Sequence, residues 1–131
     1  MATITAAGQG TLPNTANLSN AQTGNGQSTN VVDRGGAPSS PPGPVLLKIT
    51  TTVGATPTCT YAIEGSPDGT SWFAVPYADS ATPTTVTVAT FAITTATTAW
   101  KIVQPNVPVR FLRLTYSANT NVTNTADAWV F

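Results

Sequence analysis

From Val45 onward, apolar side chains return at every second position in short runs. Val45, Leu47, Ile49 and Val53 share one parity while Lys48, Thr50 and Thr52 take the other, which predicts a half-buried strand. Cys59, Tyr61 and Ile63 alternate with Thr58, Thr60 and Glu64 in a second strand, so the cysteine is expected to face the core as a small hydrophobe. Gly65-Ser66-Pro67-Asp68-Gly69 then makes a turn: Pro presets φ, Asp bonds its own backbone and Gly accepts a positive φ. A hairpin into a third strand, residues 70–77, follows, with Trp72 as its anchor and Pro76 marking an edge or bulge. Val86 and Val88, then Phe91 and Ile93, form a fourth set whose parity slips, which predicts a bulge or a switch between sheets near Thr90. Trp100 and Ile102 mark a fifth strand that Pro105 and Pro108 end, residues 109–116 a sixth, and residues 122–131 a seventh. The expected fold is all-β, an antiparallel β-sandwich or jelly roll of about seven strands with no room for a helix longer than a turn or two.

Residues 1–44 read differently. The first charged side chain is Asp33, and from residue 6 to 30 the chain is mainly Gly, Asn, Thr, Ser, Gln and Ala, with Leu12 and Leu18 as its large apolar residues and no period of 2 or 3.6. Gly24-Asn25-Gly26 and Gly35-Gly36 form turns, and the Pro-rich run 38–44 continues no helix. Two parts are therefore expected: an extended arm over residues 1–44 and a sandwich domain over residues 45–131. Fully extended at about 3.3 Å per residue, the arm would reach about 145 Å. It would lie along a neighbouring molecule by backbone pairing and shallow apolar contacts. The partner-binding residues are then Ile4, Leu12, Leu18, Val31 and Val32 of the arm, with Trp72 and Tyr77 of the domain. Removing residues 1–44 should leave the sandwich folded and abolish binding.

Composition narrows the chemistry. Of 131 residues only 8% are charged, with Lys plus Arg 5 and Asp plus Glu 5, and 26 are Thr, a β-branched residue that favours strands. The net charge is +0 and no basic cluster occurs, so nucleic acid is not an expected partner. His is absent and Cys59 is the lone cysteine, which excludes a Ser-His-Asp or Cys-His nucleophile, most zinc sites and an internal disulfide. A small fold without bridges must be held some other way, oligomerisation being one. No apolar run reaches 18 residues and the N-terminus lacks signal-peptide features, so the chain reads as a soluble, unprocessed product made in a reducing cytoplasm, with no membrane partner. Glu64, Asp68 and Asp79 are the carboxylates near one another in sequence, but the turn, the outer face of a strand and a loop account for them. No Asp-x-Asp-x-Asp-Gly run marks a calcium loop. The chain is not expected to be an enzyme or to carry a cofactor or metal. Most aromatics belong to the core, leaving one or two of Trp72, Tyr77 and Trp129 for a partner. Arg110 and Arg113, three apart on one strand, fall on opposite faces and pair singly with acids or a neighbouring subunit.

Tyr61-Ala62-Ile63-Glu64-Gly65-Ser66-Pro67-Asp68-Gly69-Thr70-Ser71-Trp72, with Val109-Arg110-Phe111-Leu112-Arg113-Leu114 some forty residues later, resembles a pattern of discoidin-like jelly rolls and of small virion proteins of tailed phages. The discoidin resemblance implies a β-sandwich binding glycans or lipids through loop tips. The whole chain, Thr-rich, charge-poor and helix-free with a Gly/Asn/Ser/Pro arm, is similar to phage capsid decoration (cement) proteins. That resemblance implies a structural protein on the virion surface, whose partners are the major capsid protein and further copies of itself, a trimer suiting local threefold positions. Two alternatives stand beside it. One is a carbohydrate- or receptor-binding module of a tail or fibre, marked by an exposed coplanar aromatic pair; the other is a low-copy tail or connector component.

Overall fold

The computed structural model describes residues 2–5, 14–35 and 43–131. Its strands are β1 (Ala2–Thr5), β2 (Asn14–Gln22), β3 (Gly26–Gln27), β4 (Asn30–Asp33), β5 (Val45–Ser66), β6 (Phe73–Ala74), β7 (Tyr77–Asp79), β8 (Val86–Thr87), β9 (Phe91–Ala92), β10 (Thr98–Val103) and β11 (Phe111–Val130). All belong to one hydrogen-bonded sheet, antiparallel except for the β1–β4 pair. The all-β class expected from the sequence is the class observed.

Two strands run through the whole molecule. β5 and β11 pair antiparallel from Ser66 opposite Phe111 to Val45 opposite Val130, and the ladder slips between Ser117 and Val122. There Gly54, Ala55, Thr56 and Pro57 bulge out, with Thr56 at φ 45°, Ala118 at φ 49° and Asn121 at φ 55°. Asn121 Nδ2 donates to the Ala55 carbonyl at 2.6 Å and holds the bulge. Bulges bend strands, and here the sheet folds over on itself. The inward parity is the same on both sides of the bend: odd residues of β5 (45–51 and 59–65) and even residues of β11 (112–116 and 122–130) are buried. One face of one bent sheet therefore becomes the interior of a two-layered sandwich.

Contacts between the layers confirm the closure. Tyr61 Oη donates to Asn124 Oδ1 at 2.6 Å although the two lie on opposite sides of the bend. Within the second layer Tyr61 also stacks on its ladder neighbour Phe91 at 5.1 Å and meets Tyr116 edge-on at 5.6 Å. Lys101, on β10 in the first layer, places its ammonium 4.6 Å from the Phe91 ring centroid in the second. Cys59 is buried among these groups as expected, and burial pushes its thiol pKa up.

The two expected parts are not separate. β2 pairs with residues 124–130 of β11, β3 with Thr115 and Tyr116, and β4 with Phe111 and Leu112. Leu18 and Val32 are fully buried in the common core. Residues 14–35 are thus part of the sandwich and not an arm. Polar side chains make this possible: Ser19 Oγ shares a 2.8 Å hydrogen bond with Tyr116 Oη, and Ser28 Oγ accepts from Leu114 N at 3.2 Å. The number of strands also departs from seven. The first and second expected strands are one continuous β5 and the sixth and seventh one β11, because a bulge keeps the ladder running where a loop is expected. The third breaks at Pro76 into β6, paired with the far half of β5, and β7, paired with β10. Between β8 and β9 the chain passes from one layer to the other, the switch expected near Thr90.

Cys59 is free, so no disulfide closes the fold, and the charged side chain of Arg34 is buried. Its Nη1 donates to the Val107 and Val109 carbonyls at 2.9 and 3.1 Å, and its Nη2 to those of Gly43 and Pro105 at 3.1 and 3.4 Å. The guanidinium thus ties the 105–109 loop to the start of β5. Gly43 is required there, since a Cβ would collide with the Phe131 carbonyl.

Candidate functional site

A depression of about 410 Å³ opens on the outer side of the second layer, lined by Gln27, Val31, Asp68, Gly69, Trp72, Phe111 and Arg113. Three elements build it. The turn after β5 supplies Asp68, Gly69 and Trp72, the start of β11 supplies Phe111 and Arg113, and the β3–β4 segment supplies Gln27 and Val31.

The turn is rigid for a local reason. Asp68 Oδ1 accepts from the backbone N–H of Ser71 at 2.8 Å and of Thr70 at 2.9 Å and from Ser66 Oγ at 2.9 Å, while Ser66 Oγ accepts from Gly69 N at 2.8 Å. These donors, the Ser71 amide foremost, hold the Asp68 carboxyl far below the usual carboxylate range. Gly69 sits at φ 82°, a conformation that glycine adopts without strain. Trp72 follows, and the Arg113 guanidinium lies 4.0 Å from its ring centroid. Arg113 is itself fixed, Nε donating to Glu64 Oε1 at 2.9 Å and Nη1 to Gln27 Oε1 at 2.8 Å. Thr115 Oγ1 donates to the same Glu64 oxygen at 2.7 Å.

The remaining acids are engaged as well. Arg110 grips Asp33 through both carboxylate oxygens at 2.8 and 2.9 Å and draws its pKa down. Lys101 Nζ donates to Asp79 Oδ2 at 2.7 Å and does the same there. Asp127 Oδ1 accepts from Asn17 Nδ2 at 2.8 Å. Each arginine of the sixth expected strand pairs with one acid, as the sequence suggests. Glu64, Asp68 and Asp79 hold their own turns and strands and do not converge on one point. Among the described residues no group of three or more His, Cys, Asp or Glu gathers as a metal site.

Of the residues expected to touch a partner, the structure brings Val31 and Trp72 into the depression. Leu18, Val32 and Tyr77 are buried in the core, their side chains turned inward toward the opposite layer. The Tyr77 hydroxyl is spent on the Ala89 carbonyl at 2.6 Å. Ile4 lies on β1, at the margin of the sheet, and Leu12 lies outside the described residues. Sequence reasoning missed Gln27 and Phe111, which no local pattern separates from their neighbours, and the burial of Arg34. It also missed that Trp100 and Trp129, both partly exposed, meet on the outer face of the first layer. Their ring centroids are 5.6 Å apart at an interplanar angle of 35°, so they are a pair but not a coplanar one.

No family model matches the chain, and neither does any curated protein sequence. The crystal structure of the SPBc2 prophage-derived protein YomS is similar, with a TM-score of 0.64 over 92% of this chain and 96% of that one. Sequence identity is 9%, so what the two share is the fold.

Proposed function

We propose that the protein is a structural component of a bacteriophage particle and, more narrowly, a capsid decoration protein that binds the assembled shell and bridges neighbouring subunits. The observation that carries the phage reading is the end-to-end match of its fold to a prophage-derived protein, with almost nothing of either chain left over. The narrower reading draws support from the surface. Exposed Thr, Ser and Asn on short strands and turns, with each Arg and Asp engaged within the chain, make an exterior that contacts a partner through shape and backbone rather than through charge. A clamp of this kind stabilises a shell only if it prefers the assembled form, and many copies multiply a small preference.

The test is the copy number per major shell subunit in purified particles of the phage that encodes it, by quantitative mass spectrometry. A ratio near a simple fraction of the shell, in hundreds of copies, is expected. A handful of copies per particle would replace decoration by a tail or connector role, and absence from the particle would overturn the virion reading.

A further inference from the structure

The outer face of the first layer carries a group of partly exposed apolar side chains. Because odd residues of β5 and even residues of β11 point inward, their neighbours point out, and the ladder registers place them in two rows. Ile102, Leu46, Trp129 and Thr15 lie side by side across β10, β5, β11 and β2, and Trp100, Lys48, Asp127 and Asn17 form the next row. Leu46, Ile102, Trp100 and Trp129 are all partly exposed. A tryptophan pair with two aliphatic neighbours on one sheet face is the composition of an interface centre rather than of an ordinary solvated face.

The charges on this face say what covers it. Lys101, Arg110 and Arg113 have acidic partners within the chain, and Arg34 is held by carbonyls. Lys48 has no ion pair among the described residues; its ammonium rests 5.6 Å from the Trp100 ring centroid. Asp127, directly opposite Lys48 in the ladder, meets an amide and no cation. One unpaired cation and one anion without a cation thus stand beside each other amid the apolar residues. A surface of this kind is complementary to itself: rotated by a two-fold axis passing between them, Lys48 of one copy meets Asp127 of the other, twice.

We propose that this face is where two copies of the chain associate, sheet against sheet, with Trp100, Trp129, Leu46 and Ile102 packed at the centre and two Lys48–Asp127 pairs beside them. Four strands at about 4.8 Å and six residues at about 3.3 Å give a face of roughly 400 Å² in projection. That is about half the ~800 Å² per partner of a standard interface, which places the contact among small, transient ones. The inference does not depend on the virion reading.

The experiment is sedimentation of the full chain over a concentration series, with Lys48→Glu and Asp127→Lys each alone and then mixed. The wild type is expected to dimerise. Each variant alone brings like charges together and should dimerise at least tenfold more weakly. The mixture should recover a heterodimer, because the carboxylate introduced at position 48 of one variant then faces the ammonium introduced at position 127 of the other, while the native Asp127 of the first faces the native Lys48 of the second. Recovery also shows that both variants are folded. A wild type that stays monomeric, a trimer, or variants that associate as the wild type does would each overturn the proposal. So would a monomer whose tryptophan fluorescence shifts on adding neutral oligosaccharides, which would assign the face to a glycan.

Discussion

Residues 15–32 and residues 80–90 both lack any charge and carry only two or three aliphatic side chains larger than Ala among small polar ones, Asn, Gln, Thr and Ser in the first and mainly Thr in the second. The first stretch lies along β11, contributes Ala16, Leu18 and Val32 to the core and buries Ser19 and Ser28 with hydrogen-bond partners. The second is exposed at every residue, Val86 and Val88 included. The difference is position in the sheet. β2, β3 and β4 flank a strand that spans both layers, so each inward side chain meets the opposite layer. β8 is the last strand beyond β7 and has no layer above it. In a charge-poor β protein, burial follows from what lies across the sheet and not from mean polarity.

The severest test of that contrast is truncation. Deleting residues 1–44 removes β1 to β4 together with Arg34, and is expected to abolish cooperative unfolding by urea rather than to leave a folded domain. Next in size, Leu18→Ala is expected to cost about 2 to 5 kcal/mol of unfolding free energy, as a large-to-small change at a fully packed site. Alkali probes the same seam more gently. Burial pushes the Tyr116 hydroxyl, which is bonded to Ser19, up to about 12 from an ordinary value of 10. The unfolded chain therefore loses this proton first as pH rises. Stability that is complete below pH 10 should fall by about 2 to 3 kcal/mol between pH 10 and 12, and Tyr116→Phe should lessen that loss in urea titrations. Smallest of all, Val88→Ala should change stability by less than about 0.5 kcal/mol, because that side chain is 57% exposed.

Much of the fold is legible in the sequence because alternation survives wherever both neighbours of a strand are regular. Cys59, Tyr61 and Ile63 show their inward face directly, and Ser66-Pro67-Asp68-Gly69 shows its turn. β2 hides for a physical reason. Its ladder with β11 slips on either side of Ala126, and Ala21 takes φ 50°, so Leu18 and Ser19 are both buried in succession and no period of 2 is left to find. The continuity of β5 is hidden as well, since Gly54-Ala55-Thr56-Pro57 has loop composition while acting as a bulge. The depression joins residues up to 86 positions apart in sequence, Gln27 and Arg113 among them, and only the register of β3 and β4 on β11 brings them together. Trp100 and Trp129 likewise become neighbours only once β10 and β11 have flanked β5.

The central place of β11 bears on how the chain comes into being. The strand that pairs with β2, β3, β4 and β5 is the last of the eleven to be synthesised. Until it emerges, β5 lacks the neighbour it pairs at both ends and on both sides of the bulge, and β2 and β3 lack the strand they hydrogen-bond to. Its ladder with β5 closes most cheaply from Ser66 and Phe111, the ends nearest in sequence, and must then zip through the bulge toward Val45 and Val130. Such non-local pairing is slow to form. β2, β3, β4 and β5 therefore leave the ribosome before the strand they all pair with, and the near absence of charge that suits the finished surface leaves that nascent chain little electrostatic repulsion to keep it from its neighbours.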